Sequence, residues 1–301
     1  MMRKKSDIAQ NSFGGRGDRI ASYLIFAFSV AGVLLMAFIL LFLAGNGLPV
    51  LKEVSIKDIL FAFDWYPVED PPALGMLPLI AGTVSATLLS SVMALPVAFL
   101  LAVFTAEIAP RRMRSGIKVL LELLGFIPSI VIGFLGMMVL APWMQGALNI
   151  ATGLNLLTTS ILLGFLIIPL VASLSEEALS SVPYELRDAS YALGATRWET
   201  IFKVVVPYAL PGISSAALLG IMRALGETMI VLMVAGGAAI VPRSFFDPVR
   251  PLTSTIAAEM GETPVGSTHY HALFFAGLIL LLITIAINLA SYAIEKRGVR
   301  Q

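Results

Sequence analysis

Cysteine is absent from this chain of 301 residues, and the only histidines are His269 and His271. The absence of cysteine excludes a disulfide bond, a thiolate metal site and a cysteine nucleophile. Two histidines at positions i and i+2 do not share one face of a helix. We therefore expect two solvated loop histidines here, in preference to a metal centre.

Charge is also scarce, because only 13% of the residues are charged while 58% are hydrophobic. The mean hydropathy of +0.91 lies far above that of soluble domains. A helix needs about 20 apolar residues to cross the hydrocarbon core of a bilayer. Six apolar runs meet this requirement and predict an all-α, multi-pass membrane protein: 21–44, 77–106, 119–141, 157–175, 209–239 and 272–294. Pro96 predicts a kink or tilt in the second run.

The basic residues predict how these helices are oriented. With a cytoplasmic N-terminus, 15 of the 20 Lys and Arg residues fall in cytoplasmic segments and only 4 in outer segments. The positive-inside rule therefore places both termini in the cytoplasm. The first run is longer than the apolar region of a signal peptide, so we interpret it as a true first helix.

Neither nucleotide hydrolysis nor nucleic-acid binding is supported by the sequence. No Gly-Lys dipeptide occurs, so the chain has no P-loop and cannot be its own ATPase. The formal net charge is only +1, and the arginine cluster at 111–114 is explained as a topology signal. We therefore expect no nucleic-acid partner.

Two full charges, Arg223 and Glu227, lie inside the predicted span 209–239. A charge at the bilayer centre costs roughly 2.5–3.5 kcal/mol even on the lenient insertion scale, so such residues mark functional sites by default. The i,i+4 spacing puts both on one helix face and allows them to pair. The pattern predicts a site that faces protein or water, and an ion pair that only fixes helix packing is the alternative.

The segment 176–207 is predicted to be a cytoplasmic loop that contains two short amphipathic helices. Ser181 favours the start of the first helix, and Gly194 favours its end. Thr196 and Glu199 then fit a capping box at the start of the second. A helix pair that presents apolar faces predicts docking on another protein. Packing against the chain's own helices is the alternative.

The outer segments are 45–76 and 240–271. The first is rich in proline and acidic residues around Trp65. This composition is compatible with a seat for a partner protein and equally with a cap over the helix bundle.

Specific motifs carry a family resemblance. Glu177-Ala178, followed by Gly194 and Pro211, resembles the EAA loop of ABC-importer permeases, the element that inserts into the cytoplasmic ATPase. Four further motifs resemble the C-type permease subunit of phosphate-specific (Pst) ABC importers: Arg223-Ala-Leu-Gly226-Glu227-Thr228-Met229, Leu252–Glu262, Gly75–Thr83 and Ile127–Gly133. Met229 follows Gly-Glu-Thr where the A-type partner subunit usually has Ala-Pro. The resemblance covers about residues 20–294.

The resemblance implies a type I ABC-importer permease fold with six transmembrane helices in a bacterial cytoplasmic (inner) membrane. Residues 1–76 would form a cytoplasmic tail, the first helix and an outer segment. Residues 77–294 would form the transmembrane domain, and 295–301 a second cytoplasmic tail. The implied partners are a homologous A-type permease, ATPase subunits that bind ATP and Mg, an extracytoplasmic phosphate-binding protein, phosphate and lipid. The chain itself would bind no cofactor or metal.

The resemblance also implies roles for single residues, none of them catalytic. The substrate path would contain Arg223, Glu227 and Thr228. Coupling to the ATPase would involve the EAA-like residues, namely Glu177, Ala178, Ala192, Gly194 and Ala195.

Three alternatives stay open beside a phosphate permease. The first is a permease for another oxyanion, sulfate or molybdate. The second is an intramembrane protease or lipid-phosphate transferase, although His-Glu-x-x-His is absent and no Ser/His pair can be placed at one membrane depth. The third is a channel or secondary transporter, which the EAA-like loop argues against.

Overall fold

A computed structural model describes residues 16–298 of the chain, with side chains from 20 to 289. The tails before residue 16 and after residue 298 lie outside the described residues. The α-helices are α1 Arg16–Gly47, α2 Ile56–Phe61, α3 Leu77–Val103, α4 Arg111–Gly125, α5 Ser129–Leu135, α6 Ala141–Leu148, α7 Leu156–Ser180, α8 Tyr184–Ala192, α9 Arg197–Thr200, α10 Val206–Leu225, α11 Met229–Val234, α12 Leu252–Glu259 and α13 Thr268–Gly298.

Shorter elements join or extend these helices. A 3₁₀ turn, Leu48–Lys52, follows α1, and strands β1 Trp65–Tyr66 and β2 Ala73–Leu74 pair antiparallel with Trp65 opposite Leu74. Single π-helical turns occupy Phe104–Ile108, Gly136–Leu140 and Ile201–Val205. Each π turn continues an α-helix without a break in the helical backbone.

Six helical segments are long and apolar enough to cross a membrane: Ile20–Lys52, Leu77–Ile108, Ser129–Leu148, Leu156–Ser180, Arg197–Leu225 and Thr268–Leu289. The prediction of an all-α architecture with six spans is therefore confirmed. Four predicted spans, 21–44, 77–106, 157–175 and 272–294, coincide with single helices. In these four cases one continuous helical segment contains the whole apolar run and extends past at least one end of it.

The predicted third span, 119–141, is wrong. It joins the end of α4 to the start of a separate membrane helix, because α4 ends at Gly125 and α5 begins at Ser129 after Pro128. Pro128 lacks the N–H group that a continuous helix would need, and its ring clashes with the preceding turn. The apolar face of amphipathic α4 adds to the hydropathy of the next helix, so hydropathy alone merges the two. The actual span is Ser129–Leu148.

The predicted fifth span, 209–239, is also displaced. The helix begins at Arg197 and ends at Leu225, and the short helix α11 follows after a break. The apolar run resumes at Met229, so a hydropathy window that averages over Gly226, Glu227 and Thr228 does not mark the break. The first turns of this helix, from Arg197, are amphipathic. The amphipathic pattern predicts a separate cytoplasmic helix there, and the predicted span therefore begins too late, at residue 209.

Helix α7 lies at the centre of the bundle and packs against α3, α10 and α4. Two glycines of α10 allow its close approach. A Cβ atom on Gly212 would lie 2.6 Å from the Ala178 Cβ, and one on Gly220 would lie 2.4 Å from the Val171 Cγ2. Small residues at such crossings let membrane helices approach closely and gain dispersion contacts. The same contact places Ala178 against the chain's own bundle.

The outer segment 45–76 folds over one end of the helices. Its buried residues pack with side chains of α12 and α13 in one apolar cluster: Val50, Ile59, Trp65, Leu74, Met76, Leu252 and Leu273. Of the two interpretations of this segment, the structure supports a cap over the bundle. The cap is held by ordinary burial of apolar surface, worth about 25 cal/mol per Å².

The prediction of two solvated loop histidines is wrong. His269 and His271 lie in the first turn of α13, and both side chains are half-buried. The His271 Nδ1 atom lies 2.6 Å from the carbonyl oxygen of Asn46, and the His269 Nε2 atom lies 2.7 Å from Glu259 Oε2. The helix begins earlier than its apolar run, which brings both rings into contact with neighbouring elements.

Candidate functional site

The charged residues of the fifth span meet at a break between two helices. Gly226, Glu227 and Thr228 separate α10 from α11. The Thr253 hydroxyl of α12 donates to the Glu227 carbonyl at 2.8 Å, which fixes the backbone of the break. The Leu252 N–H in turn donates to the hydroxyl of Thr83 in α3 at 2.9 Å. These hydrogen bonds satisfy backbone polar groups at the break that have no partner in the surrounding apolar side chains.

Glu227 caps the short helix α11. Its side chain is only 3% exposed, and its Oε1 atom accepts the Met229 N–H at 3.1 Å, with a longer contact of 3.5 Å to the Ile230 N–H. A carboxylate at a helix N-terminus satisfies free N–H groups and meets the positive end of the helix dipole. One carboxylate oxygen is thus already engaged by the backbone.

Arg223 approaches the same carboxylate from α10. Its Nη1 atom lies 3.7 Å from Glu227 Oε2, which confirms the predicted ion pair. The distance is too long for a hydrogen bond. The Arg223 side chain is 50% exposed. The guanidinium N–H groups of Arg223 are therefore free to donate to another group, whereas the Glu227 carboxylate is buried and already accepts backbone N–H groups.

A cavity of about 270 Å³ lies beside Arg223, between α4, α7 and α10. Polar groups from all three helices line it, namely Glu122, Ser173 and Arg223, together with the exposed ring of Phe126. Thr228, which the sequence placed in the same site, does not line this cavity. Its hydroxyl forms only a long 3.4 Å contact to the Gly226 carbonyl.

The predicted break and capping box of segment 176–207 are both confirmed. Gly194 adopts φ +82°, a left-handed conformation that glycine reaches without a steric cost. Thr196 and Glu199 form the reciprocal capping box at the start of α9. Two details differ from expectation. The second helix is not short, because it continues through the π turn into α10, and the Ser181 hydroxyl donates to the Ala178 carbonyl instead of capping α8.

The five residues assigned to coupling fall into two groups. Ala192 ends α8, Gly194 and Ala195 lie in the turn that follows, and the Ala195 N–H donates to the Ser190 carbonyl at 3.2 Å. Glu177 and Ala178 lie in the last turns of α7. Large apolar side chains surround the turn and stay exposed: Leu186, Leu193, Trp198 and Phe202. The Trp198 and Phe202 rings stack with centroids 6.0 Å apart.

An ion pair ties α8 to the end of the second span, and the sequence did not reveal it. The Arg187 Nη2 atom lies 3.0 Å from Glu107 Oε1, and both side chains are largely buried. Arg187 also donates to the Leu179 carbonyl at 2.9 Å, while Arg197 donates to the Glu107 carbonyl. The partners are far apart along the chain, so no spacing rule could join them. The only sequence signal is a carboxylate directly after a long apolar run.

A second buried carboxylate lies in the last turns of α7. Glu176 is paired with Arg114 and, at 2.6 Å, with Lys118, both from α4. Part of the basic cluster that the sequence explained by topology thus also holds α4 against α7.

Glu259 is the centre of a polar cluster at the opposite end of the bundle. It pairs with Arg250, lies 2.7 Å from the His269 Nε2 atom, and accepts the Trp65 indole N–H at 3.2 Å. These residues join the outer segment, α12 and α13 beside a cavity of about 610 Å³. Within the described residues, no group of three His, Asp or Glu side chains is arranged to hold a metal ion.

Comparison with known proteins gives one family. The family model described as "Binding-protein-dependent transport system inner membrane component" matches residues 94–300. A probable ABC transporter permease, YqgH of Bacillus subtilis, is 40% identical over 87% of this chain and 85% of that protein. The phosphate transport system permease protein PstC of Pasteurella multocida is 34% identical over 79% of this chain and 80% of that protein.

Solved structures agree on the architecture. A chain of a bacterial alginate ABC transporter superposes with a TM-score of 0.65 at 14% identity, over 93% of this chain and 96% of that chain. A chain of the MetNI methionine ABC transporter, in an inward-facing conformation, gives 0.57 at 20% identity, over 72% and 93%. These likenesses concern the fold, and they match the type I importer architecture expected from the sequence.

Proposed function

The chain belongs to the binding-protein-dependent transport system inner membrane components, and on that premise we propose that it is the permease subunit of an ATP-driven importer of inorganic phosphate. It is a multi-pass inner membrane protein and a transport component, not an enzyme. The names of its PstC relatives support phosphate as the substrate.

The half-exposed guanidinium of Arg223 carries the proposal from the structural side. Inorganic phosphate near neutral pH is an anion, and a guanidinium offers paired donors that match two of its oxygens. The ion pair with Glu227 offsets the charge of Arg223 between deliveries without occupying its hydrogen-bond donors. Arg223 is therefore suited to meet a passing oxyanion, while Glu227 and Thr228 shape the break that presents it.

The remaining parts follow the assembly of the family. A homologous A-type permease would supply the other half of the path, and an extracytoplasmic phosphate-binding protein would deliver the anion to segments 45–76 and 240–271. Two ATPase subunits would bind ATP and Mg and dock at the turn around Gly194. Both termini would lie in the cytoplasm, as the distribution of basic residues predicts.

ATP-driven uptake in proteoliposomes that contain all components tests the proposal. Radiolabelled phosphate, arsenate and sulfate are offered in parallel, with a binding protein specific for each anion. We expect phosphate and arsenate uptake that stops when ATP is withheld. Uptake of sulfate without phosphate would assign the chain to another oxyanion importer, and flux without ATP would favour a channel or secondary transporter.

A further inference from the structure

The cavity beside Arg223 contains a second carboxyl group, Glu122, that the proposed path does not use. Glu122 lies in the last turn of α4, and its exposed side chain lines the same cavity as Arg223. It is the only acidic residue of α4, whose other charged residues are all basic. Within residues 20–289, no basic side chain comes within ion-pair distance of its carboxylate. The Glu122 carboxylate is therefore exposed in the cavity without a counter-ion from these residues, and it is available to a ligand.

Ser173 of α7 adds a hydroxyl to the same cavity. Its side chain is exposed, and it forms no hydrogen bond to another side chain or backbone group of the described residues. Other hydroxyls of the membrane helices, such as those of Thr83 and Ser91, donate to a carbonyl of their own helix. Ser173 is thus free to donate to a ligand in the cavity.

The carboxylate of the ion pair is poorly placed to serve as the acceptor for a substrate proton. Glu227 is buried, one of its oxygens accepts backbone N–H groups, and it does not line the cavity. Glu122, in contrast, is exposed and faces the cavity from the helix opposite Arg223. With about 30 Å³ for each water molecule, a cavity of about 270 Å³ holds an oxyanion and several waters.

We propose that Glu122 is a specificity residue that accepts the proton of phosphate, while Arg223 and Ser173 donate to its other oxygens. The inference rests on the proposed function and names a further part of the same site. Phosphate and arsenate still carry at least one proton near neutral pH, so each can donate to a carboxylate. Sulfate carries none, and a carboxylate against a sulfate oxygen places two negative charges together without a donor.

The test uses the complex of both permeases and the ATPase subunits in nanodiscs, without the binding protein, so that only the membrane path discriminates. Broadening of the phosphorus NMR resonance of inorganic phosphate reports binding, and arsenate or sulfate is added as competitor. In the wild type we expect sulfate to need about tenfold more than arsenate to displace phosphate, as one charge-assisted hydrogen bond would give. In Glu122→Gln, which keeps size and removes the charge, this difference should vanish.

Two variants provide the controls. Arg112→Gln removes a charge from the same helix outside the cavity and should keep wild-type discrimination. Arg223→Met should lose phosphate broadening altogether. If Glu122→Gln does not assemble, Glu122→Asp, which keeps the charge but withdraws it, should also discriminate less than the wild type.

The outcomes separate this inference from the proposed function. Unchanged discrimination in Glu122→Gln, or in Glu122→Asp where that variant is used, would overturn the role of Glu122. A wild-type complex that takes up phosphate in proteoliposomes but does not broaden its resonance would overturn the site in this cavity and leave the proposed function standing. A complex that takes up sulfate and no phosphate would overturn the proposed function itself.

Discussion

Arg223 and Glu227 form one ion pair, but their surroundings give them different tasks. The Glu227 carboxylate accepts backbone N–H groups of α11, so it mainly stabilises the backbone geometry of the break. Arg223 is half exposed beside a mostly apolar cavity that also contains Glu122 and Ser173. The sequence identified both residues as charges inside an apolar run and predicted their pairing from the i,i+4 spacing. It could not assign these tasks, because the apolar run resumes beyond the break and conceals it.

Replacement of Arg223 should abolish transport and leave assembly nearly intact. In Arg223→Met the Glu227 carboxylate keeps its backbone donors, so the break persists while the guanidinium is lost. Arg223→Lys keeps the charge but not the paired donors, and we expect reduced uptake. The measurement is phosphate uptake normalised to assembled complex. Wild-type uptake by Arg223→Met would remove this side chain from the path.

Replacement of Glu227 should instead reduce stability, and the loss should be larger when the new side chain cannot accept the Met229 N–H. Glu227→Ala leaves the Met229 N–H without its partner and Arg223 without its counter-ion, and we expect a loss of about 1–3 kcal/mol. Glu227→Gln retains a carbonyl oxygen that can accept the same N–H, so its loss should be smaller. The apparent melting temperature of the purified complex measures both. Equal melting of the two variants would show that the cap does not matter.

At the scale of helices, the sequence predicted four spans correctly and misplaced two. Runs such as 157–175 lie entirely within one helix, here Leu156–Ser180, so hydropathy and structure agree. The third and fifth spans differ because Pro128 and Gly226 end helices within apolar surroundings. Long-range contacts, such as Glu107 with Arg187, leave no local pattern at all. Two helix signals were predictable from local chemistry alone, the stop at Gly194 and the capping box at Thr196.

The turn between α8 and α9 depends on the left-handed conformation of Gly194. No neighbouring atom lies within 4 Å of a Cβ added there, so substitution strains the backbone and causes no clash. In Gly194→Val the strain is of the order of 1–2 kcal/mol, whereas Asn tolerates this conformation better. We expect Gly194→Val to lower ATPase co-purification and coupled hydrolysis, and Gly194→Asn to retain both.

Gly116→Ala, in α4, is the matched control for Gly194→Val. This glycine also has open space around it but has no positive φ. Full uptake with unchanged ATPase co-purification in Gly194→Val would contradict the assigned coupling role of the turn.

The Glu107–Arg187 pair connects α8 to the second span and should transmit force between them. Glu107→Ala leaves a largely buried guanidinium without its partner, a change that costs about 3–5 kcal/mol at buried sites. We expect lower thermal stability and ATP hydrolysis that is no longer stimulated by the binding protein. The exchange Glu107→Arg with Arg187→Glu restores the charges and should recover part of both. Failure of Glu107→Ala to alter either measurement would leave the pair without a mechanical role.

At the scale of the whole molecule, the chain presents two different kinds of exposed surface. Helix α1 packs along α13 and leaves its other sides uncovered, with no buried residue in its most apolar window. The face around Arg223 is exposed too, but its cavity contains charged and polar side chains among apolar ones. The first surface suits lipid, and the second suits water and a partner permease.

Because the chain contains no cysteine, thiol labelling of introduced cysteines can distinguish the lipid-facing surface of α1 from the cavity without background labelling. Ser173→Cys places a thiol in the cavity, while Ser29→Cys makes the same exchange on exposed α1. Because the thiolate is the reactive species and needs a polar environment, a water-soluble maleimide should label Ser173→Cys. Ser29→Cys should stay unlabelled until the membrane is dissolved. Labelling of Ser29→Cys in intact membranes, or none of Ser173→Cys, would contradict these assignments.

The π turn at Ile201–Val205 sets the helical phase of everything beyond it in the fifth span. Each α-helical residue advances the chain by about 100° and 1.5 Å, and a π turn accommodates one extra residue without breaking the helix. The azimuth of Arg223, relative to the turn at Gly194, therefore depends on that single residue. Removing it would lower Arg223 by little more than a bond length and swing its side chain through more than a quarter of a circle. The rotation of the helix about its axis, more than its position along that axis, therefore directs the guanidinium toward the cavity.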